Sequence, residues 1–138
     1  MPSVVGPRLF LLMAGLDVFI GENASPVLRI SEGLWSYLDA TGFSVFATDT
    51  NIQIHLGRVT SFDAEFLLSF FLALEPVVGQ LRTSTDKYTT EVGLDETSSQ
   101  IVAFEVPREE AIRDIDSLMT AANDAYNEDL ALTFKPVE

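Results

Sequence analysis

Phe62-Asp63-Ala64-Glu65-Phe66-Leu67-Leu68-Ser69-Phe70-Phe71-Leu72-Ala73-Leu74-Glu75-Pro76 is the stretch on which the fold turns. Thr60 and Asp63, three residues apart, have the form of a capping box, in which a hydroxyl and a carboxylate each accept a hydrogen bond from the other residue's backbone N–H. A long helix is predicted to follow. Phe66, Leu67, Leu68, Phe70, Phe71, Leu72 and Leu74 cover more than one of its faces, so it is apolar nearly all round and has to be covered on several sides. Pro76 lacks a backbone donor and is expected to bend or restart the helix near Glu75, with Leu81 and Arg82 finishing it.

On the N-terminal side, 43–48 and 52–59 are rich in β-branched and aromatic residues and flank the turn-forming Asp49-Thr50-Asn51, which predicts an antiparallel hairpin. Ser25-Pro26 reads as a helix opening, with Val27, Ile30, Leu34 and Leu38 as the apolar stripe of a helix to about Ala40 and Gly42 as its stop. Leu9, Leu12, Met13, Leu16 and Ile20 fall at spacings of three and four, giving a first helix over 8–20, with a strand over 16–20 as the alternative. On the C-terminal side, 87–94 and 100–106 repeat the hairpin pattern. Pro107 then opens a last helix with Glu109 and Glu110 at its positive end and Ile112, Ile115, Met119, Ala122 and Tyr126 as its stripe.

The predicted order is therefore α-α-β-β-α-β-β-α. This is an α+β fold, an antiparallel sheet of about four strands from two hairpins packed against helices. The 138 residues suit one domain, 1–138, with 1–24 as an accessory N-terminal segment.

Composition narrows function. The chain carries 21 Asp and Glu against 8 Lys and Arg, a net charge of -13, with 47% hydrophobic residues and no cysteine. Bases scattered along so acidic a chain cannot displace counterions from a phosphate backbone, so a nucleic-acid ligand is not expected. The apolar run Phe66 to Leu74 is interrupted by Ser69 and falls short of the ~20 residues that cross a bilayer, which points away from a membrane. The run in 8–14 is short and precedes no cleavage pattern, so export is not expected either, and a cytoplasmic setting is the reading.

Little site chemistry can be assembled. No phosphate-cradling glycine loop is present, which disfavours the nucleotide enzymes that depend on one. His55 is the single histidine, placed on the solvated side of a predicted strand, and has no second or third partner for base or metal work. Asp114 and Asp116 resemble a metal pair, yet residues two apart on a helix diverge around its axis. Asp49-Thr50-Asn51 and Asp95-Glu96 lack the twelve-residue calcium loop. Asn23-Ala24-Ser25 reads as a capped loop and not as a glycosylation site. No catalytic residue, metal or cofactor is expected, and the chain reads as a non-enzyme.

Association is the class left. The ten phenylalanines make core first of all, but the central helix has apolar surface to spare, so Phe66, Phe70, Phe71 and Leu74 are predicted to bind protein and to join two copies in a homodimer. The alternative uses charge: Asp95, Glu96, Glu109, Glu110, Asp114 and Asp116 would block a basic cleft of a target, as an inhibitor or immunity-type protein does.

The element order over residues 26–130, a helix, strands, the apolar helix 62–81, the hairpin 87–106 and the helix 107–126, together with size and acidity, resembles the small acidic chaperones of type III secretion and the related YbjN-like domains. That resemblance implies a non-enzymatic homodimer holding an extended segment of a partner protein against apolar grooves. The chain departs from the pattern in the additional segment 1–24 and in having two predicted strands, where the pattern has three, before the central helix.

Overall fold

A computed structural model of the chain describes residues 15–86, 88–95 and 100–137, of which 88–95 and 100–105 are described by their backbone alone. Its elements are β1 (Gly15–Ile20), β2 (Leu28–Ser31), α1 (Glu32–Asp39), α2 (Gly42–Thr50), β3 (Thr60–Phe62), a 3-10 turn (Ala64–Phe66), α3 (Leu67–Thr83), β4 (Tyr88–Asp95), β5 (Gln100–Pro107), α4 (Arg108–Asn127) and β6 (Leu132–Pro136). The fold is α+β, with a four-stranded antiparallel sheet in the order β2-β1-β6-β3.

The class and the four antiparallel strands are as expected; the segments supplying them differ. The expected helix over 8–20 overlaps β1, where Leu16, Val18 and Ile20 point into the core while Asp17 and Phe19 point out. Those residues satisfy a period of two as well as one of three or four. Pairing with β2 on one side and β6 on the other settles the competition, because a strand with two neighbours meets its backbone polar groups on both edges. Gly21 then turns the chain at φ 59, a conformation glycine adopts without strain.

The second helix starts six residues later than Pro26. Leu28–Ser31 pairs with β1, and Ser31 caps α1 by accepting from the Leu34 N–H at 3.1 Å.

The predicted strand 43–48 is the helix α2. Helical geometry places Phe43 and Phe46 on one side, where both are buried, and brings Gly42 so close to α3 that a Cβ there would stand 2.8 Å from Leu74 Cδ2. The hydroxyls of Thr48 and Thr50 donate back to the carbonyls of Ser44 and Phe46, at 3.0 and 2.7 Å. Asn51, read as a hairpin turn, is a left-handed C-cap at φ 62 whose N–H donates to the Ala47 carbonyl at 2.7 Å. The predicted strand 52–59 keeps its alternation, Ile54 buried between exposed Gln53 and His55, but without a ladder; the Trp35 indole N–H takes the Ile54 carbonyl instead, at 3.0 Å.

α3 begins at Leu67, after the 3-10 turn, and Asp63 makes no side-chain cap bond. It runs through Pro76 to Thr83 with Pro76 on its exposed side. The hairpin β4–β5 forms as predicted, Asp95 opposite Gln100, but as a separate two-stranded sheet. α4 buries Ala111, Ile115, Leu118, Ala122 and Ala125, a stripe displaced from the predicted one: Ile112 and Met119 are half-buried and Tyr126 is exposed. Small side chains on that face let α4 lie close against α3. β6 was not predicted at all, and it is central in the sheet.

Five phenylalanine rings hold these pieces together. Phe70 of α3 lies 5.2 Å from Phe46, 5.4 Å from Phe62, 5.9 Å from Phe134 and 6.0 Å from Phe43, centroid to centroid. One ring thus ties α3 to α2, β3 and β6. Truncating it leaves a cavity that rigid neighbours on three elements cannot close, so Phe70→Ala is expected to cost about 3–5 kcal/mol in urea unfolding, against under about 1 kcal/mol for Val45→Ala on the exposed side of α2. Equal losses for the two variants would refute this core.

Candidate binding groove

α4 follows the hairpin and crosses the helical side of the sheet, and one of its faces is left looking at the end of β1 and the start of β2. Between them lies an open groove of about 670 Å³. Ile20, Val27 and Leu28 form one wall. The other is a stripe of α4 at helical spacing, Glu109, Arg113, Asp116, Ser117, Thr120 and Asp124, with Ile112 and Ala121 deeper. A second depression of about 290 Å³ shares Ile20 and Asp124 with it and adds Asn23, Asn127, Glu128 and Leu130. The two together follow α4 for most of its length, roughly 28 Å at 1.5 Å per residue.

The groove is apolar below and acidic above. Val27 is 46% exposed and Leu130 37%, so apolar surface faces the solvent there. Charge is compensated at one end and not at the other: Asp116 accepts from Arg82 at 2.6 Å and Glu109 from Arg108 at 3.1 Å, whereas among the described residues no cation pairs with Asp124 or Glu128. Those two sit at the C-terminal end of α4, whose last turn has no base and whose dipole is already negative.

The acidic residues singled out from sequence are divided by the structure. Glu109 and Asp116 line the groove, and Glu110 is exposed beside it. Asp114 is half-buried, with Arg113 donating to it at 3.5 Å, and does not converge with Asp116. Asp95 ends β4, and Glu96 lies outside the described residues. Asp124 and Glu128 were missed; the absence of any base in the last turn of the final helix was the available signal.

The apolar set divides as well. Phe70 and Leu74 are fully buried, as core and not as binding surface, while Phe66 and Phe71 are half-buried. The apolar residues that α3 does offer are Leu68 and Leu72, 56% and 55% exposed and one turn apart. Residues 64–83 are long and apolar enough to cross a membrane by length and composition, but much of that surface packs on α2 and α4.

No group of three His, Asp or Glu residues that could hold a metal occurs among the described residues. His55 is exposed, its ring 6.4 Å from that of Trp35. Its charge bears on Asp39: loss of water raises the Asp39 carboxyl above its ordinary 3.8, and the His55 charge partly offsets that. No family model, curated protein or solved structure matches the chain.

A carboxyl whose folded pKa is raised makes the folded state lose stability as pH climbs from the unfolded value through the folded one. Asp39→Asn is therefore expected to raise the melting temperature at pH 7, with the gain fading by about pH 3, below the ordinary 3.8, where the wild-type carboxyl is largely protonated in folded and unfolded chains alike. A gain of the same size at both pH values would rule out this origin.

Proposed function

We propose that this chain is a non-catalytic protein-binding module, a small acidic chaperone or adaptor of the cytoplasm that holds a segment of a partner protein and works as a homodimer. The observation that carries the reading is the groove beside α4, with an apolar floor, a polar rim and the length to take several residues of another chain. The succession of α3, hairpin and α4 also follows the order on which the resemblance to type III secretion chaperones and YbjN-like domains rests. A dimer is assigned to the outer face of α3 because residues 66–81 contain a single charged side chain, Glu75, so this is where two copies of a strongly acidic chain repel least.

A second reading is favoured by Glu109 and Asp116 on the groove wall: an acidic inhibitor whose carboxylates engage a basic cleft. Salt separates the two, since charge attraction between exposed groups is screened within about 8 Å at physiological ionic strength and apolar burial is not. Affinity capture from the source cell should retain a partner protein at both low and high salt under the first reading, and only at low salt under the second. Recovery of no stoichiometric partner under either condition argues against both.

Leu72→Asp places a charge on the least charged face and leaves the core intact, so light scattering should show the mass fall by half with the helical signal unchanged. A wild-type chain that is monomeric at high concentration removes the dimer from the proposal.

A further inference from the structure

Resting on the protein-binding reading, we infer that the groove's occupant is an extended segment of a partner polypeptide in which basic and apolar side chains alternate. Three observations select it. The apolar lining, the wall of Ile20, Val27 and Leu28 with Leu130 beyond it, faces apolar side chains. The end of the groove holds Asp124 and Glu128, without a cation among the described residues and beside the negative pole of α4, and a Lys or Arg side chain from outside meets both needs. β2, whose first residue lines the groove, is an edge strand of the four-stranded sheet, and an extended chain is the conformation that presents one set of side chains down and the next up beside such an edge.

Anisotropy of a labelled seven-residue peptide of alternating Lys and Leu, titrated with the full chain at physiological salt, tests this. Alternating Lys–Ser and Glu–Leu peptides are the probes of charge alone and of apolar content alone. The Lys–Leu peptide is expected to bind at least about tenfold more tightly than either, since it alone satisfies both floor and rim. The double variant Asp124→Lys, Glu128→Lys puts bases where the α4 dipole favours them, so it should fold, and should weaken the Lys–Leu peptide by about tenfold or more. The double variant Asp49→Lys, Glu65→Lys changes net charge equally at exposed positions outside the groove and should change binding by less than about threefold.

Equal weakening by the two variants would assign the binding to the general field of the protein, and equal binding of the Lys–Ser peptide would assign it to acid alone; either overturns the inference. So does failure of the Lys–Leu peptide to bind. If that failure accompanies a partner retained at high salt, the occupant's chemistry is wrong and the binding function stands; if no partner is retained either, both fall.

Discussion

The junction of α2, β3 and β6 with α3 depends on the burial of the Phe70 ring. Its neighbours come from Phe43 and Phe46, from Phe62 and from Phe134, so one side chain reconciles the directions of a short helix, a three-residue strand and a strand near the C-terminus. None of these is stable alone: α2 has nine residues and β3 three, below the lengths at which a helix or a hairpin persists in water. Their order is borrowed from the rings. β6 depends on the same cluster, because Phe134 together with Leu132 is what places it between β1 and β3.

That dependence explains which parts of the fold were legible in the sequence. The hairpin β4–β5 and the helices α3 and α4 were legible because each has a pattern that favours one element: alternation around a polar loop, an apolar run too long for a strand, or helical spacing behind Pro107. The region 43–62 was not. Phe43, Val45 and Phe46 have the composition of a strand, and the contacts of Phe43 and Phe46 with Phe70, with the close approach at Gly42, favour a helix. Asn51 suits a hairpin turn and a helix C-cap for the same reason, tolerance of positive φ, so it could not arbitrate. β6 escaped because five residues after a turn carry too little pattern to announce a strand, and its position comes from partners in β1 and β3, 70 to 120 residues earlier.

The candidate binding surface was legible by halves for a related reason. A helix apolar all round declares that it is covered, not by what, so Phe70 and Leu74 could not be told from Leu68 and Leu72 before α2 and α4 were in place. One groove wall, the α4 stripe with Glu109 and Asp116, was visible in the last helix. The other wall, Ile20 and Val27, lies in a segment expected to be helical, and nothing in the sequence brings it beside α4.

The distribution of the cations then bears on what the groove can do. Of the six basic side chains described, Arg29 pairs with Asp17, Arg82 with Asp116, Arg108 with Glu109 and Arg113 with Asp114, the Lys135 ammonium stands 4.8 Å over the Phe19 ring, and exposed Arg58 pairs with no acid among the described residues. These are mostly exposed contacts, screened by water and too weak to hold the fold. Their effect is on where the field remains uncancelled. Glu109 and Glu110 stand at the end of α4 whose dipole welcomes them, and Arg108 lies beside them; Asp124, Glu128 and Asp129 stand at the opposite end with neither. A cleft walled by apolar side chains concentrates such a field, because low-dielectric walls screen it less than water does. Acidic side chains without a paired cation among the described residues and accessible apolar lining therefore meet at one place, where α4 ends beside the turn that follows β1.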